Sequence, residues 1–182
     1  MAVSRVANSD TFKVSTPSDR EIHMTRLFDA PRQLVFDAMT KPEHVRRWWG
    51  CLSEGHSVTT CEIDLRVGGA YRIVMRSPEG VDQPVKGVFR EIVEPERLVM
   101  TVDCSDQPAE WHDQLNPGRD KSRPPVFVML QTVTFEDLAG KTRLTIRSRF
   151  DSAELLEAAL NVGMTEGWSQ SLDRLSEVLA KV

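Results

Sequence analysis

The chain has 182 residues, of which 40% are hydrophobic and 27% charged, and its formal net charge is −4 at pH 7. These values are typical of a soluble globular domain with a sizeable core, and they exclude a disordered or fibrous protein. The negative charge disfavours binding to nucleic acid or to an anionic membrane, and no apolar run is long enough to span a bilayer. The N-terminus lacks the apolar segment of a secretory signal, so we expect a cytoplasmic protein whose three cysteines are reduced.

The beginning of the chain predicts a leader, a strand and two short helices. Residues 1–18 are polar and without period, which is typical of a mobile leader, so we expect a single domain over residues 19–182. Apolar residues spaced along 20–28 predict a first strand. Pro31 and Pro42 then stand where two short helices would begin, because proline is well accommodated in the first turn of a helix.

A run of short alternating segments, separated by turn residues, predicts an antiparallel meander. The predicted strands cover 61–67, 70–76, 85–93, 98–104, 126–136 and 142–150. Residues 51–60, which precede the first of these strands, are interpreted as a loop. The interval 105–125 interrupts the meander with several prolines and no period, so we predict a loop insert that is either functional or disordered.

The C-terminal segment predicts the helix around which the other elements are organised. Met164, Trp168, Leu172, Leu175 and Leu179 recur at steps of three or four, which places them on one face of an α-helix. Such an apolar face must be covered. Since the preceding chain is mostly strands, we expect it to lie on a sheet.

Three separated motifs carry a resemblance to a known family. They read EHVRRWWG at 43–50, DLRVGGAYR at 64–72 and GMTEGW at 163–168. In this order they resemble the bacterial activator-of-heat-shock-protein-90-ATPase-like (AHSA-type) family of the START/birch-pollen-allergen (SRPBCC) superfamily, over residues 20–182. The resemblance implies an α+β helix-grip fold, in which a curved antiparallel β-sheet wraps around a long C-terminal α-helix and two short helices follow the first strand.

The resemblance implies three kinds of function. The first is binding of a small hydrophobic molecule (lipid, polyketide or aromatic) in a cavity between the sheet and the C-terminal helix. The second is activation of a heat-shock-protein-90 ATPase as a co-chaperone. The third is a cyclase or hydrolase that uses the cavity as a reaction vessel; for this function the sequence itself offers Glu166, His112 or Tyr71 as acid or base. We expect a binding protein rather than an enzyme, with no cofactor and no metal; a chaperone partner and a homodimer stay open.

Large apolar side chains and a few polar ones are the candidates for ligand contact. Methionines suit such a site because the flexible thioether adapts to varied apolar shapes. The predicted ligand-binding residues are Trp48, Trp49, Tyr71, Ile73, Met75, Phe89, Met100, Trp111, Phe127, Met129, Gln131, Met164, Glu166 and Trp168. The alternative is that the apolar members only form the core, and that Glu166 only complements the dipole at the start of the last helix.

Two other groups of polar residues predict no site. His112 and Asp113 are adjacent in the insert, but adjacency in sequence does not bring side chains together, so we interpret them as solvated loop residues. Cys51, His56 and Cys61 lack a fourth ligand and the short spacing of a structural zinc site.

The arginines of the last predicted strand leave two registers open. Arg143, Arg147 and Arg149 alternate with apolar residues, which favours a solvated outer face. In the opposite register, Arg147 or Arg149 would point inward and anchor the carboxylate of a fatty or aromatic acid.

Overall fold

The computed structural model describes residues 11–50 and 55–182, and this part of the chain forms one eight-stranded antiparallel sheet and five helices. The strands are β1 (Phe12–Ser18), β2 (Glu21–Phe28), β3 (Ser57–Ile63), β4 (Ala70–Arg76), β5 (Asp82–Val93), β6 (Arg97–Asp103), β7 (Val128–Leu138) and β8 (Lys141–Arg149). The helices are α1 (Arg32–Thr40), α2 (Pro42–Trp48), α3 (Ala109–Leu115), α4 (Ala153–Asn161) and α5 (Met164–Leu179).

The sheet runs in the order β1-β2-β8-β7-β6-β5-β4-β3, so β2 and β8 are the only sheet neighbours in the described residues that are not consecutive strands. The sheet is curved, and α5 packs within the same core as its inner face, in contact with α1, α2, α4 and β2. The α+β helix-grip fold predicted from the sequence is therefore confirmed.

Alternation along the strands decides which side chains form the core. On β8, Leu144 and Ile146 are fully buried, while Arg143 and Arg147 on either side of them are exposed. On α5, Leu172 and Leu175 are fully buried and belong to the same hydrophobic cluster. The apolar helix face predicted from its spacing thus lies on the inner face of the sheet.

The predicted leader is wrong for residues 12–18, which form the edge strand β1. Val14 pairs with Met24 of β2, and Phe12 is fully buried beneath the sheet. An edge strand needs few apolar residues, because one side of its backbone and most of its outer face stay in water. For this reason the polar sequence of residues 12–18 did not indicate a strand. Residues 1–10 lie outside the described residues.

The first strand of the meander begins earlier than predicted. It covers Ser57–Ile63, whereas the sequence predicted a loop up to residue 60 and a strand over 61–67. The alternating Leu65 and Val67 misled the prediction, since they are exposed, by 38% and 63%, in the turn before β4. Gly69 fits this turn because a Cβ there would collide with the carbonyl oxygen of Asp64.

The insert is not a continuous loop, because α3 occupies residues 109–115 of it. Its two turns are too short for a 3.6-residue period to be recognised in the sequence. His112 is buried, and its Nε2 lies 3.1 Å from the backbone carbonyl oxygen of Ser105, to which it donates. The interpretation of His112 as a solvated loop residue is therefore wrong.

None of the helices in the described residues is long and apolar enough to cross a membrane.

Candidate ligand cavity between the sheet and helix α5

The first half of α5 carries small residues where the second half carries leucines. Gly163, directly before the helix, is followed at steps of four by Gly167, Ser171, Leu175 and Leu179. Residues four apart lie on one face of a helix, so this face changes from small to large along its length. A Cβ built on Gly167 meets no heavy atom within 4 Å. The small residues leave space between helix and sheet that the leucines fill further along.

A cavity of about 260 Å³, here called the large cavity, occupies this space. Its wall combines aromatic side chains from α2, α3 and α5 with aliphatic residues from β5, β6, β7 and α4. The lining residues are Trp48, Trp49, Gly50, Val85, Val102, Cys104, Trp111, Phe127, Met129, Gln131, Ala159, Val162, Gly163, Met164, Gly167, Trp168 and Ser171. All four tryptophans of the chain are among them.

A second space of about 40 Å³, here called the small cavity, lies beside the large one. Its lining residues are Met39, Val45, Trp48, Trp49, Ile63, Tyr71, Ile73, Phe89, Leu98, Met100, Gln131, Val133 and Trp168. Trp48, Trp49, Gln131 and Trp168 line both cavities. The rings of Trp49 and Trp168 meet edge to face with centroids 6.0 Å apart, so they form part of the wall between the two spaces.

Trp111 of the insert closes one side of the large cavity. Its ring packs edge to face on Phe127, with centroids 5.3 Å apart, and Phe127 packs in turn on Phe150. Two polar contacts fix the segment around α3: His112 bonds to the Ser105 carbonyl, and Gln107 Nε2 donates to the carbonyl of Pro84 at 2.8 Å. The insert therefore contributes directly to the wall of the cavity.

Within the described residues, no Asp, Glu, Lys, Arg or His lines either cavity. The polar members of the wall of the large cavity include Gln131 and Ser171, which are only 4% and 5% exposed. Gln131 Nε2 donates a hydrogen bond to Ser148 Oγ at 3.1 Å. In the same part of the chain, neither Gln131 Oε1 nor Ser171 Oγ has a hydrogen-bond partner.

The titratable groups of the two walls are Cys104 and Tyr71, and both are neutral at pH 7. Burial, reinforced by the carboxylate of Asp103, raises the pKa of Cys104 to about 12. Burial also raises the pKa of Tyr71, whose hydroxyl donates to the carbonyl oxygen of Thr101 at 2.7 Å. Neither group has a base beside it that would activate it, so the walls hold no acid–base pair among the described residues.

The comparisons with known proteins agree with this architecture. The family described as "Activator of Hsp90 ATPase homolog 1-like protein" matches residues 29–180. The chain belongs to this family. The family resemblance predicted from the three sequence motifs is thus confirmed, and the family lies within the START/SRPBCC superfamily. No curated protein matches the chain.

Solved structures of bacterial proteins share the fold of this Hsp90-ATPase-activator-like domain. A Nitrosomonas europaea protein is 25% identical, with a TM-score of 0.73, over 91% of this chain and 97% of its own. An Arthrobacter aurescens protein is 25% identical, with a TM-score of 0.74, over 93% and 92%. A Rhodobacter sphaeroides protein is 19% identical, with a TM-score of 0.76, over 94% and 99%, and it shows the fold alone.

Of the 14 residues that the sequence nominated for ligand contact in this family member, 12 line one or both cavities. Those on the large cavity are Trp48, Trp49, Trp111, Phe127, Met129, Gln131, Met164 and Trp168. Tyr71, Ile73, Phe89 and Met100 line only the small cavity. Met75 and Glu166 line neither. Glu166 stands in the first turn of α5, where its Oε2 accepts a hydrogen bond from Thr165 Oγ1 at 3.1 Å.

Sequence reasoning missed the small residues of the wall, above all Gly167 and Ser171. It followed the large apolar residues of α5 and overlooked the face on which small residues recur every fourth position. That periodicity was a usable signal, because a helix face with glycine and serine leaves space beside it. The aliphatic wall residues from β5, β6 and α4 carry no comparable signal, since any buried strand or helix supplies them.

The outward register of the arginines, which the alternation favoured, is the observed one, and the alternative of an inward carboxylate anchor is wrong. Arg143 pairs with Glu136 at 2.8 Å and Arg147 with Glu21 at 2.8 Å, both on the exposed face. The residues between the arginines, such as Ser148, are buried instead.

The other polar residues considered in the sequence analysis do not form a site among the described residues. Asp113 turns away from His112 and pairs with Arg119 at 2.7 Å and Lys121 at 3.1 Å, so the two neighbours form no acid–base pair. Among the described residues there is no group of three His, Cys, Asp or Glu side chains placed to hold a metal ion. Cys51 lies outside the described residues.

Proposed function

We propose that this protein binds a small apolar molecule in the large cavity. The observation that carries the proposal is the placement of Gly163, Gly167 and Ser171 opposite aromatic side chains, which creates space in a region that leucines would otherwise fill. Apolar clefts with a few convergent polar groups are the usual form of small-molecule sites. An apolar cavity of about 150 Å³ is enough for benzene, so about 260 Å³ suits a molecule of two fused rings. Membership of the family supports a ligand-binding domain, and a cytoplasmic location forms part of the proposal.

A leucine at position 167 tests the proposal because it fills the cavity from a helix that tolerates it. Gly167→Leu places a side chain where no atom lies within 4 Å of the Cβ, and it removes a glycine that costs a helix about 0.5–1 kcal/mol relative to alanine. We expect affinity for a neutral naphthalene-type probe to fall at least about tenfold, while the unfolding temperature stays equal or rises. Tryptophan emission reports binding directly, since every tryptophan lines the cavity.

Glu177→Leu is the matched control, because Glu177 is exposed on the same helix and its leucine would lie outside the cavity. It should bind the probe like the wild type. Equal binding by Gly167→Leu and the wild type, or no binding by the wild type at millimolar probe, would contradict the proposal.

The family match supplies a second candidate, stimulation of a heat-shock-protein-90 ATPase through surface contact. The same pair of variants separates the two functions. A surface contact does not need the cavity, so Gly167→Leu should leave any ATPase stimulation intact while it weakens probe binding. A third candidate, acid–base chemistry by Glu166, His112 or Tyr71, gains nothing from the geometry, because these groups neither converge in one cavity nor face a base.

A further inference from the structure

The charge of the ligand is limited by the walls of the large cavity, if the proposed function holds. Within residues 11–50 and 55–182 these walls carry no ionisable side chain other than the Cys104 thiol, which is neutral. A carboxylate or ammonium group moved from water into such a wall loses its hydration without gaining a counter-ion, which costs several kcal/mol. Arg147 and Arg149, which the sequence analysis considered as anchors for a carboxylate, are exposed on the other face of the sheet.

Two polar side chains on opposite walls nevertheless have hydrogen-bonding capacity to offer. Gln131 stands on β7 and Ser171 on α5, and both are more than nine-tenths buried. Gln131 Nε2 donates one of its two N–H groups to Ser148 Oγ, and Oε1 remains able to accept. Ser171 Oγ has no partner among the described residues and is free to donate or accept.

These two groups are open to the cavity rather than sealed in the core. Buried polar atoms are normally hydrogen-bonded, since leaving one unpaired costs about 1–3 kcal/mol. In the described part of the chain, Arg26 Nε is the one fully enclosed side-chain nitrogen or oxygen without a partner. Gln131 Oε1 and Ser171 Oγ therefore keep contact with accessible space, and the accessible space that both residues line is the large cavity.

We propose that the ligand is an uncharged molecule with an apolar ring system and one hydrogen-bond donor, such as a hydroxyl, which donates to Gln131 Oε1 and lies within reach of Ser171. Its rings lie against the tryptophans of the wall. A hydroxyl matches the acceptor that Gln131 offers, whereas a carboxylate would place its own lone pairs against that oxygen with no cation to balance its charge. The cavity thus selects a neutral alcohol or phenol over the corresponding acid.

Three probes of equal ring size test this selectivity: naphthalene, 2-naphthol and 2-naphthoate, titrated at about pH 7 by isothermal calorimetry. The wild type should bind 2-naphthol several-fold more tightly than naphthalene, as expected for one added hydrogen bond. It should bind 2-naphthol at least about tenfold more tightly than 2-naphthoate, because the carboxylate loses its hydration without gaining a counter-ion. The test variant is Gln131→Met/Ser148→Ala, in which both partners of the existing hydrogen bond become apolar and no buried group is orphaned. Ser171→Ala is tested separately.

In Gln131→Met/Ser148→Ala the advantage of 2-naphthol over naphthalene should vanish while naphthalene binding is retained, which also shows that the variant is folded. The inference is overturned if 2-naphthoate binds as tightly as 2-naphthol to the wild type, or if the advantage of 2-naphthol persists in the double variant. If none of the three probes binds, both the proposed function and this inference are overturned. If naphthalene binds but 2-naphthol has no advantage, the proposed function stands and only the inference on the ligand class is wrong.

Discussion

Arg26 is a buried charged residue on the otherwise apolar inner face of β2. It follows Ile22 and Met24 on the inner face of β2 and is only 8% exposed. Its Nη1 lies 2.6 Å from Asp173 Oδ1 on α5, and its guanidinium carbon lies 5.8 Å from the centroid of the Phe28 ring. Its Nε is enclosed without a partner. One ion pair and one aromatic face thus compensate the burial of the guanidinium group.

Removal of the Asp173 carboxylate alone should reduce the free energy of unfolding more than removal of both charges of the Arg26–Asp173 pair. Asp173→Asn leaves the buried guanidinium without a counter-ion, so we expect the free energy of unfolding to fall by about 1–3 kcal/mol. This loss is smaller than that for a fully buried ion pair, because Asp173 is largely exposed. Arg26→Met/Asp173→Asn, which replaces the charge by an apolar side chain of similar length, should recover most of that loss. Urea denaturation of the wild type and both variants measures this. A double variant less stable than Asp173→Asn would contradict the argument.

Among the elements, the pairing of β2 with β8 connects an early strand of the chain with its last strand. Glu21 and His23 of β2 meet Arg147 of β8 on the outer face, with Arg147 Nη2 2.8 Å from Glu21 Oε1. Hydrogen bonds from His23 and Arg147 hold the pKa of Glu21 below its usual value of 4.5. The cluster spans 126 residues of sequence, so no local pattern indicates it.

This lowered pKa makes part of the stability depend on pH. A carboxyl group with a lower pKa in the folded state than in the unfolded state stabilises the fold above its unfolded pKa, and the contribution is lost as the pH falls through the folded pKa. Glu21→Gln should therefore be less stable than the wild type at about pH 6, and the difference should shrink towards about pH 3. Urea midpoints at both pH values test this. A difference that does not change with pH would show that the carboxylate charge is not responsible.

At the scale of the whole molecule, a curved sheet and one helix enclose two spaces that share a wall of tryptophan rings. Trp48 is fixed in that wall by its indole Nε1, which donates to the carbonyl oxygen of Ala38 at 2.8 Å. Trp49, directly after α2, and Trp168 of α5 complete the wall. The wall depends on α1, α2 and α5, which meet only in the folded chain. No single segment of the sequence therefore determines the shape of the site.

Trp168→Ala should damage both stability and binding. Truncation of a partly buried tryptophan removes contact area and joins the two cavities, so we expect a loss of about 2 kcal/mol in the free energy of unfolding and at least about fivefold weaker binding of naphthalene. Denaturation and calorimetry on the same preparation measure both. Loss of stability with unchanged affinity would assign Trp168 to the core alone.

The amount of structure that could be predicted differs between elements for physical reasons. Helix α5 and strand β8 were predictable because each buries one face and therefore repeats apolar residues at a period of 3.6 or 2. Helix α3 is too short to show such a repeat, and β1 is an edge strand with few buried positions. The strand β3 was misplaced because two exposed residues, Leu65 and Val67, happened to continue an alternating pattern.

By itself the sequence determined the fold and its family, since periodicity, turn residues and three ordered motifs are local properties of the chain. It also nominated most of the aromatic wall, because large apolar residues stand out in a sequence. Only the tertiary structure decided which of them surround empty space, that the arginines of β8 face outward, and that Gln131 and Ser171 line the same cavity. A cavity is defined by what small residues such as Gly167 leave unfilled between distant segments, and no single segment encodes that volume.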